Sequence, residues 1–318
     1  MISQDDEFQS LGIHHKPMIE QYVRGFSPFS DFNFVSLWSW NIDGNAAFMF
    51  ADKNLVMRFN DYLTGEPFYT FLGHTNVTET AKHLLDLADR SGAMPILQLV
   101  PETTALAIDT EHLCVEEDRD HHDYIYAVSD LSVPVGGKYQ HFRQMIHKFK
   151  RVHPNAHIEI INLTDKDSQI AILNLLNTWE ENKKIMAPDS DLTHERCALQ
   201  RLFDSAHEHN LIVIGLFLDG EMLGFSIEEV IDKNFAMGHF WKCDTSYPGI
   251  YEYLIHEKAR HFETLGIQFI NYEQDLGLPA LRNSKMSLRP RYFLKKYIIS
   301  RKGVAVPLEE DAGSQLVV

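Results

Sequence analysis

Residues 211–230 read LIVIGLFLDGEMLGFSIEEV, and FAMGHFWKCD (235–244), GIYEYLIHEKARHFETLG (249–266) and IQFINYEQD (267–275) follow. Two apolar runs hinge on Asp219-Gly220, a strong two-residue hairpin signal. A third strand, a helix of 3.6-residue apolar period ending at Gly266 and a further strand then complete one α/β unit. Working outward, the same order recurs nearer the start. AAFMFAD (46–52) and NLVMRFND (54–61) form a hairpin across Lys53-Asn54, and EPFYTFLG (66–73) makes the third strand. A helix over 75–92, the buried strand PILQLVP, a short helix and a closing pair of strands, LCVEED (113–118) and DYIYAVSD (123–130), follow. The second copy closes with a short helix, LPALRNSK, and one last strand, RYFLKKYII (291–299).

This recurrence predicts two copies of one mixed α/β (α+β) unit, with the boundary placed near Leu131 before the Pro/Gly-rich VPVGGK: domains 1–131 and 132–318. The element order resembles the GNAT acyltransferase fold, whose central strand and the next one split apart to hold an acyl donor. The expectation is two tandem GNAT-like domains with mixed sheets, with the tail EEDAGSQLVV loosely held.

At 318 residues with 44% hydrophobic and 23% charged content, the chain is ordinary for a folded protein. Three scattered cysteines give no disulfide framework or zinc ribbon, so a reducing cytoplasm is expected. The acidic N-terminus has no signal-peptide core, and the longest strongly apolar run, 211–218, falls far short of a bilayer span. The 17 histidines include no HExxH pattern, so no metal is expected. A GxSxG elbow and a Walker loop are absent too.

The net charge of −16 argues against a surface that coats nucleic acid, and DNA is not expected as a partner. The average hides a division. Residues 138–153 (KYQHFRQMIHKFKRVH) and 282–302 (RNSKMSLRPRYFLKKYIISRK) hold 13 of the 29 basic residues and no acid. In the first segment Phe142, Met145, Ile146 and Phe149 face a core by helical spacing. Lys138, Arg143, His147, Lys148, Lys150 and Arg151 are left to contact phosphates, and a solvated helix face is the plain alternative. In the strand 267–275, period-2 alternation puts Asn271, Glu273 and Asp275 on one face toward its carboxyl end, where ligands sit in open α/β sheets. These carboxylates either serve a substrate or pair with Arg282 and Lys285.

GNAT enzymes that use acyl-CoA hold its pyrophosphate on a glycine-rich loop at a helix N-terminus. The corresponding loop here, DTSYPGIYEY (244–253), has one glycine and no Arg or Gln at the expected place, and LGHTNVTE (72–79) fails as well. Acyl-CoA is disfavoured as donor. His239 lies on the strand before that loop, where a GNAT site would be.

GGKYQHFRQMIHKFKRVHP (136–154) and INYEQDLGLPALRNSKMSLRPRYFLKKY (270–297) resemble the basic-helix joint and the Asn-x-Glu-x-Asp-x-Gly, Leu-Arg, Lys and Pro signature of a family related to the C-terminal domain of bacterial phosphatidylglycerol lysyltransferase. Fem-type aminoacyltransferases are more distant relatives. The resemblance implies an acyl or aminoacyl transferase that takes its aminoacyl group from a charged tRNA, with no tightly bound cofactor and a small-molecule or lipid-headgroup acceptor. Acyl-CoA as donor and a degenerate, non-catalytic ligand-binding protein are the alternatives. Carried over, the site comprises Glu273, Asp275, His239 and Lys285 as catalytic groups, and Lys242, Tyr251, Asn271 and Arg282 as substrate-binding ones. The family pattern His-x-Glu-Lys is here His239-Phe240-Trp241-Lys242, and Gly-Leu-Arg is Ala280-Leu281-Arg282.

Overall fold

The computed structural model describes residues 7–60, 67–186 and 193–304. The tail 309–318, expected to be loosely held, lies outside these residues. The chain forms two mixed α/β units. One comprises the residues up to Asp123 together with those following Leu294; the other is Tyr124–Phe293. No helix among the described residues is long and apolar enough to cross a membrane.

In the first unit β1 (Gln9–Ser10), α1 (Lys16–Val23) and α2 (Phe34–Ser39) lead to the meander β2 (Ala47–Ala51), β3 (Asn54–Asn60) and β4 (Pro67–Leu72). Then come α3 (Val77–Ser91), β5 (Ile96–Pro101), α4 (Glu102–Ala105) and β6 (Leu113–Glu117). The β2–β3 turn sits one residue earlier than the sequence suggested. Asp52 and Lys53 take the positive φ angles, while Asn54 pairs with Ala51 as a strand residue. The buried Asn54 amide is spent on Thr75 and Thr80, which is why it is not the turn residue.

The second unit contains β7 (Asp123–Ala127), α5 (Val128–Ser132), α6 (Gln140–Val152), β8 (His157–Ile161), α7 (Lys166–Met186), α8 (Thr193–Asp204), β9 (Leu211–Leu218), β10 (Glu221–Val230) and β11 (Phe235–Cys243). It continues with α9 (Ile250–Thr264), β12 (Phe269–Asn271), α10 (Pro279–Ser287) and β13 (Tyr292–Leu294), and the chain then returns to the first unit with β14 (Lys296–Arg301). Asp219 and Gly220 make the β9–β10 turn with positive φ, as expected.

The sheet orders are β1-β2-β3-β4-β5-β14-β6 and β13-β7-β12-β11-β10-β9-β8. Two expectations are corrected here. β6 and β7 are not a closing pair, because they lie in different sheets. The run RYFLKKYII is not one strand, because it breaks at Lys295 into β13 of the second sheet and β14 of the first. Counted from β1 and from β8, the sixth strand of each sheet, β14 and β7, therefore comes from the far half of the chain. In the first sheet β14 is tied down by Lys296, fully buried, whose ammonium is 2.8 Å from Asp123 Oδ1 and also meets Asp31.

Each unit has its own apolar core. In the first, Ala81, Leu84, Leu85 and Ala88 of α3 pack over Phe71, Leu97 and Ile299. In the second, Phe142, Ile146 and Phe149 of α6 pack with Tyr253, Leu254 and Phe262 of α9. Burying each Leu, Ile or Phe among these contributes about 1.5–3 kcal/mol.

Candidate functional site

β11 and β12 run parallel through the pairs Phe235↔Phe269, Ala236↔Ile270 and Met237↔Asn271. There the pairing ends. β11 continues to Cys243 while the other chain turns away, so the two strands splay. The equivalent place in the first unit is closed: β4 and β5 share the single pair Tyr69↔Leu97, and Thr104 Oγ1 is bonded to both the N–H and the carbonyl of Gly73 at 3.0 Å.

A bulge sets the first functional side chain. Ile227 pairs with Phe240 but Glu228 pairs with Gly238, so His239 is the extra residue. Its ring stands between two carboxylates, Nε2 at 3.4 Å from Glu229 Oε2 and Nδ1 at 3.5 Å from Glu273 Oε1. Burial works against the charged ring, but Glu229 and Glu273 outweigh it and raise the pKa to about 9. His239 is thus an imidazolium at neutral pH, and the proton-abstracting role is closed to it there. Of its two partners Glu273 is the more exposed, with 26% of its side chain accessible against 9% for Glu229.

The alternating face expected over 267–275 does not exist beyond Asn271. Asn271 Oδ1 accepts the Glu273 N–H at 2.7 Å and Glu273 takes φ +54°, which turns the chain out of the strand. Asp275 then accepts the Gly277 N–H at 2.9 Å, a second turn of the same kind. Its fully buried carboxylate also takes a two-pronged bond from Arg282, at 2.9 and 2.7 Å, and one from the Tyr124 hydroxyl. Burial would raise the Asp275 pKa, yet the Arg282 and Tyr124 bonds hold it below the ordinary value. The Lys285 ammonium donates to the carbonyls of Tyr272, at 2.7 Å, and Gln274. Asp275, Arg282 and Lys285 thus brace the loop that carries Glu273.

Farther along β11 the buried Lys242 pairs with Glu195 of α8 at 2.7 Å and lies 4.3 Å from the Trp179 ring of α7. The Tyr251 hydroxyl accepts the Cys243 N–H at 3.3 Å, and burial pushes its pKa up. Glu195 and Trp179 were not legible as site residues, because nothing in a helix pattern says which strand it will cover.

The α9 side of the splay holds a cluster the sequence did not reveal. Trp241 and Tyr272 have ring centroids 4.4 Å apart. The fully buried Lys258 of α9 places its ammonium 4.2 Å from the first ring and 4.4 Å from the second. It also bonds Glu228 at 2.5 Å and Ser226 at 3.0 Å. Gly238 packs tightly beside this cluster: a Cβ there would come within 2.9 Å of Glu228 Oε2, and the carboxylate would have to shift. The carboxylate missing at 241 thus has a counterpart on the neighbouring strand, Glu228. The only hint was the acidic pair Glu228-Glu229 ending an otherwise apolar strand.

The two basic segments fare differently. On α6, His147, Lys148, Lys150 and Arg151 are exposed and have no ion pair among the described residues. Arg143 is committed, donating to the carbonyls of Pro134 at 2.6 Å and Gly136 at 2.8 Å, and Lys138 lies 3.9 Å from Asp130. In 282–302 most of the charge is internal. Arg282 serves Asp275, Lys285 two carbonyls, Lys295 Glu117, Lys296 Asp123, and Arg301 Asp86 and Asp89. Arg289 and Arg291 remain exposed, and they pull down the pKa of Tyr139 at the start of α6 against burial and Asp130, which carry it to about 12. The second basic segment is therefore largely a structural one.

α6 also bears on the loop before α9. Gly249 has φ +89°, and a Cβ on it would lie 2.5 Å from the Met145 carbonyl oxygen of α6. The basic helix is packed onto the turn before α9. No group of three or more His, Cys, Asp or Glu able to hold a metal occurs among the described residues.

The profile of the family described as phosphatidylglycerol lysyltransferase, C-terminal, matches residues 19–300. Among solved structures, a conserved protein of unknown function from Bacteroides thetaiotaomicron VPI-5482 is 25% identical, with a TM-score of 0.80, over 95% of this chain and all of that one. The C-terminal domain (DUF2156) of a putative lysylphosphatidylglycerol synthetase from Agrobacterium fabrum is 13% identical, with a TM-score of 0.62 and 92% of each chain covered. L-PGS from Bacillus licheniformis is 15% identical, with a TM-score of 0.59, over 92% of this chain and 93% of that one. No curated protein matches.

Proposed function

Since the chain belongs to the family of the phosphatidylglycerol lysyltransferase C-terminal domain, a family of acyl and aminoacyl transferases, we propose that it transfers an aminoacyl group from a charged tRNA to an amine or hydroxyl acceptor. The observation that carries the choice of donor is α6. Its cations Lys148, Lys150 and Arg151 face solvent while its Met145 carbonyl crowds Gly249. The helix offers a polyanion backbone a row of charges and leaves a CoA pyrophosphate little room at the α9 N-terminus.

In the splay, Glu273 receives the α-ammonium of the aminoacyl group, oriented by the His239 imidazolium. The acceptor attacks the ester carbonyl, the new acyl bond forms as the ester C–O bond breaks, and the acceptor's proton ends on the released ribose hydroxyl. Lys242, held by Glu195, supplies positive charge along the same strand. The acceptor is a small molecule or a lipid headgroup bearing the nucleophile. The test is transfer of labelled amino acid from a charged tRNA pool to an added amine. E273Q should abolish transfer and leave the fold intact; equal transfer by wild type and E273Q would contradict the assignment.

Trp241 favours a second reading, a ligand-binding protein without turnover, because it fills the splay where the family pattern has a carboxylate. W241E with no gain of turnover on any charged tRNA, together with inactive wild type, would select it.

A further inference from the structure

The bulge at His239 spends a strand register to bring one ring between two acids, and only one of these acids is in the assigned site. Glu229, on β10, is nearly inaccessible and faces the ring nitrogen opposite to the one that meets Glu273. A neutral imidazole has one N–H and could donate to just one of these carboxylates; with both nitrogens facing acids, the geometry calls for both protons. We propose that Glu229 is a positioning residue: its carboxylate, at ion-pair distance from Nε2, keeps His239 doubly protonated and its Nδ1–H directed at Glu273, so that the Glu273 carboxylate is aimed into the splay for a substrate ammonium. The last step rests on the ammonium-binding reading of Glu273 given above.

The charged groups facing the ring are Glu229 from β10 and Glu273 from the turn after β12, and they carry its titration to about 9 in place of 6.5. Glu229 does not touch the substrate. Its effect on binding passes through the protonation of His239, so it must depend on pH, whereas a merely structural residue would weaken binding equally at every pH.

The test uses the full chain with ring-labelled histidine, the His239 signal being the one lost in H239Q. E229Q should lower the His239 titration by about two to three units, close to its ordinary value. Alaninamide, a probe with an α-ammonium beside a carboxamide carbonyl, should then bind E229Q as wild type does at pH 6 but about tenfold more weakly at pH 7.5, a difference of about 1.4 kcal/mol. An unmoved His239 titration, or equal weakening at both pH values, overturns the proposal. If E229Q does not fold, E273Q decides it: Glu229 is then the remaining carboxylate at the ring, which must still titrate above 6.5. Titration at or below that value in E273Q overturns the proposal. Failure of wild type to bind alaninamide at any pH sinks the ammonium reading of Glu273 instead, while the ring titrations still decide the role of Glu229.

Discussion

Trp241 of β11 and Tyr272, just past β12, meet with ring centroids 4.4 Å apart at the mouth of the splay between their strands. The ring pair occupies the α9 side of this gap, and on the proposed reading no pantetheine arm threads it. CoA and its esters at millimolar concentration should therefore leave the thermal midpoint of the protein unchanged. A bound ligand at 100 times its Kd would stabilise by about 2.7 kcal/mol, which a thermal-shift assay reads easily. A clear shift would restore acyl-CoA as donor.

Lys258 and Glu228 form a fully buried ion pair, so removing one partner strands a charge. K258M should cost about 3–5 kcal/mol in urea unfolding, and K258M/E228L should recover most of that loss. Additive losses in the double variant would mean that the pair is not coupled.

His239 links stability to pH. Its folded pKa of about 9 lies above its unfolded value near 6.5, so the stabilisation is fully present below pH 6.5 and is lost as pH rises through 9. The difference is roughly 3 kcal/mol. H239Q should flatten the decline in unfolding free energy between those pH values, and an identical decline in the variant would refute the pairing with Glu229 and Glu273.

Lys296 joins β14 to Asp123 and Asp31 in the first unit. Burial raises the Asp31 pKa while Lys296 opposes it. K296M should destabilise by about 3–5 kcal/mol at pH 7 and by less at pH 5, where Asp31 accepts a proton at smaller cost. Equal losses at both pH values would show that Asp31 does not bear the stranded charge.

Much of the fold was legible because hydrophobic period reports strands and helices directly: the β9–β10 hairpin, α9 and the recurrence of one unit all follow from it. Which sheet a strand joins is another matter. Phe293 and Tyr297 read alike as strand residues, and only the break at Lys295 separates their sheets. Period 2 also failed past Asn271, because Asn271 and Asp275 satisfy backbone N–H groups locally and bend the chain before Glu273 can alternate. Charge counting singled out α6, whose cations are exposed, and 282–302 alike, since a sequence does not show which cations are already answered by distant acids such as Asp86 and Asp123. Lys258 and Glu229 escaped notice for the converse reason: each is an ordinary charge until the fold buries it.

A charged tRNA donor gripped by α6 must bind with an affinity that falls steeply with salt. If Lys148, Lys150 and Arg151 each displace a counterion, the slope of log K against log salt for K148E/K150E/R151E should be shallower than that of wild type by about 2–3. Wild type should bind tRNA with a steep slope and the variant weakly. Binding absent in wild type, or the same slope in both proteins, would contradict the account.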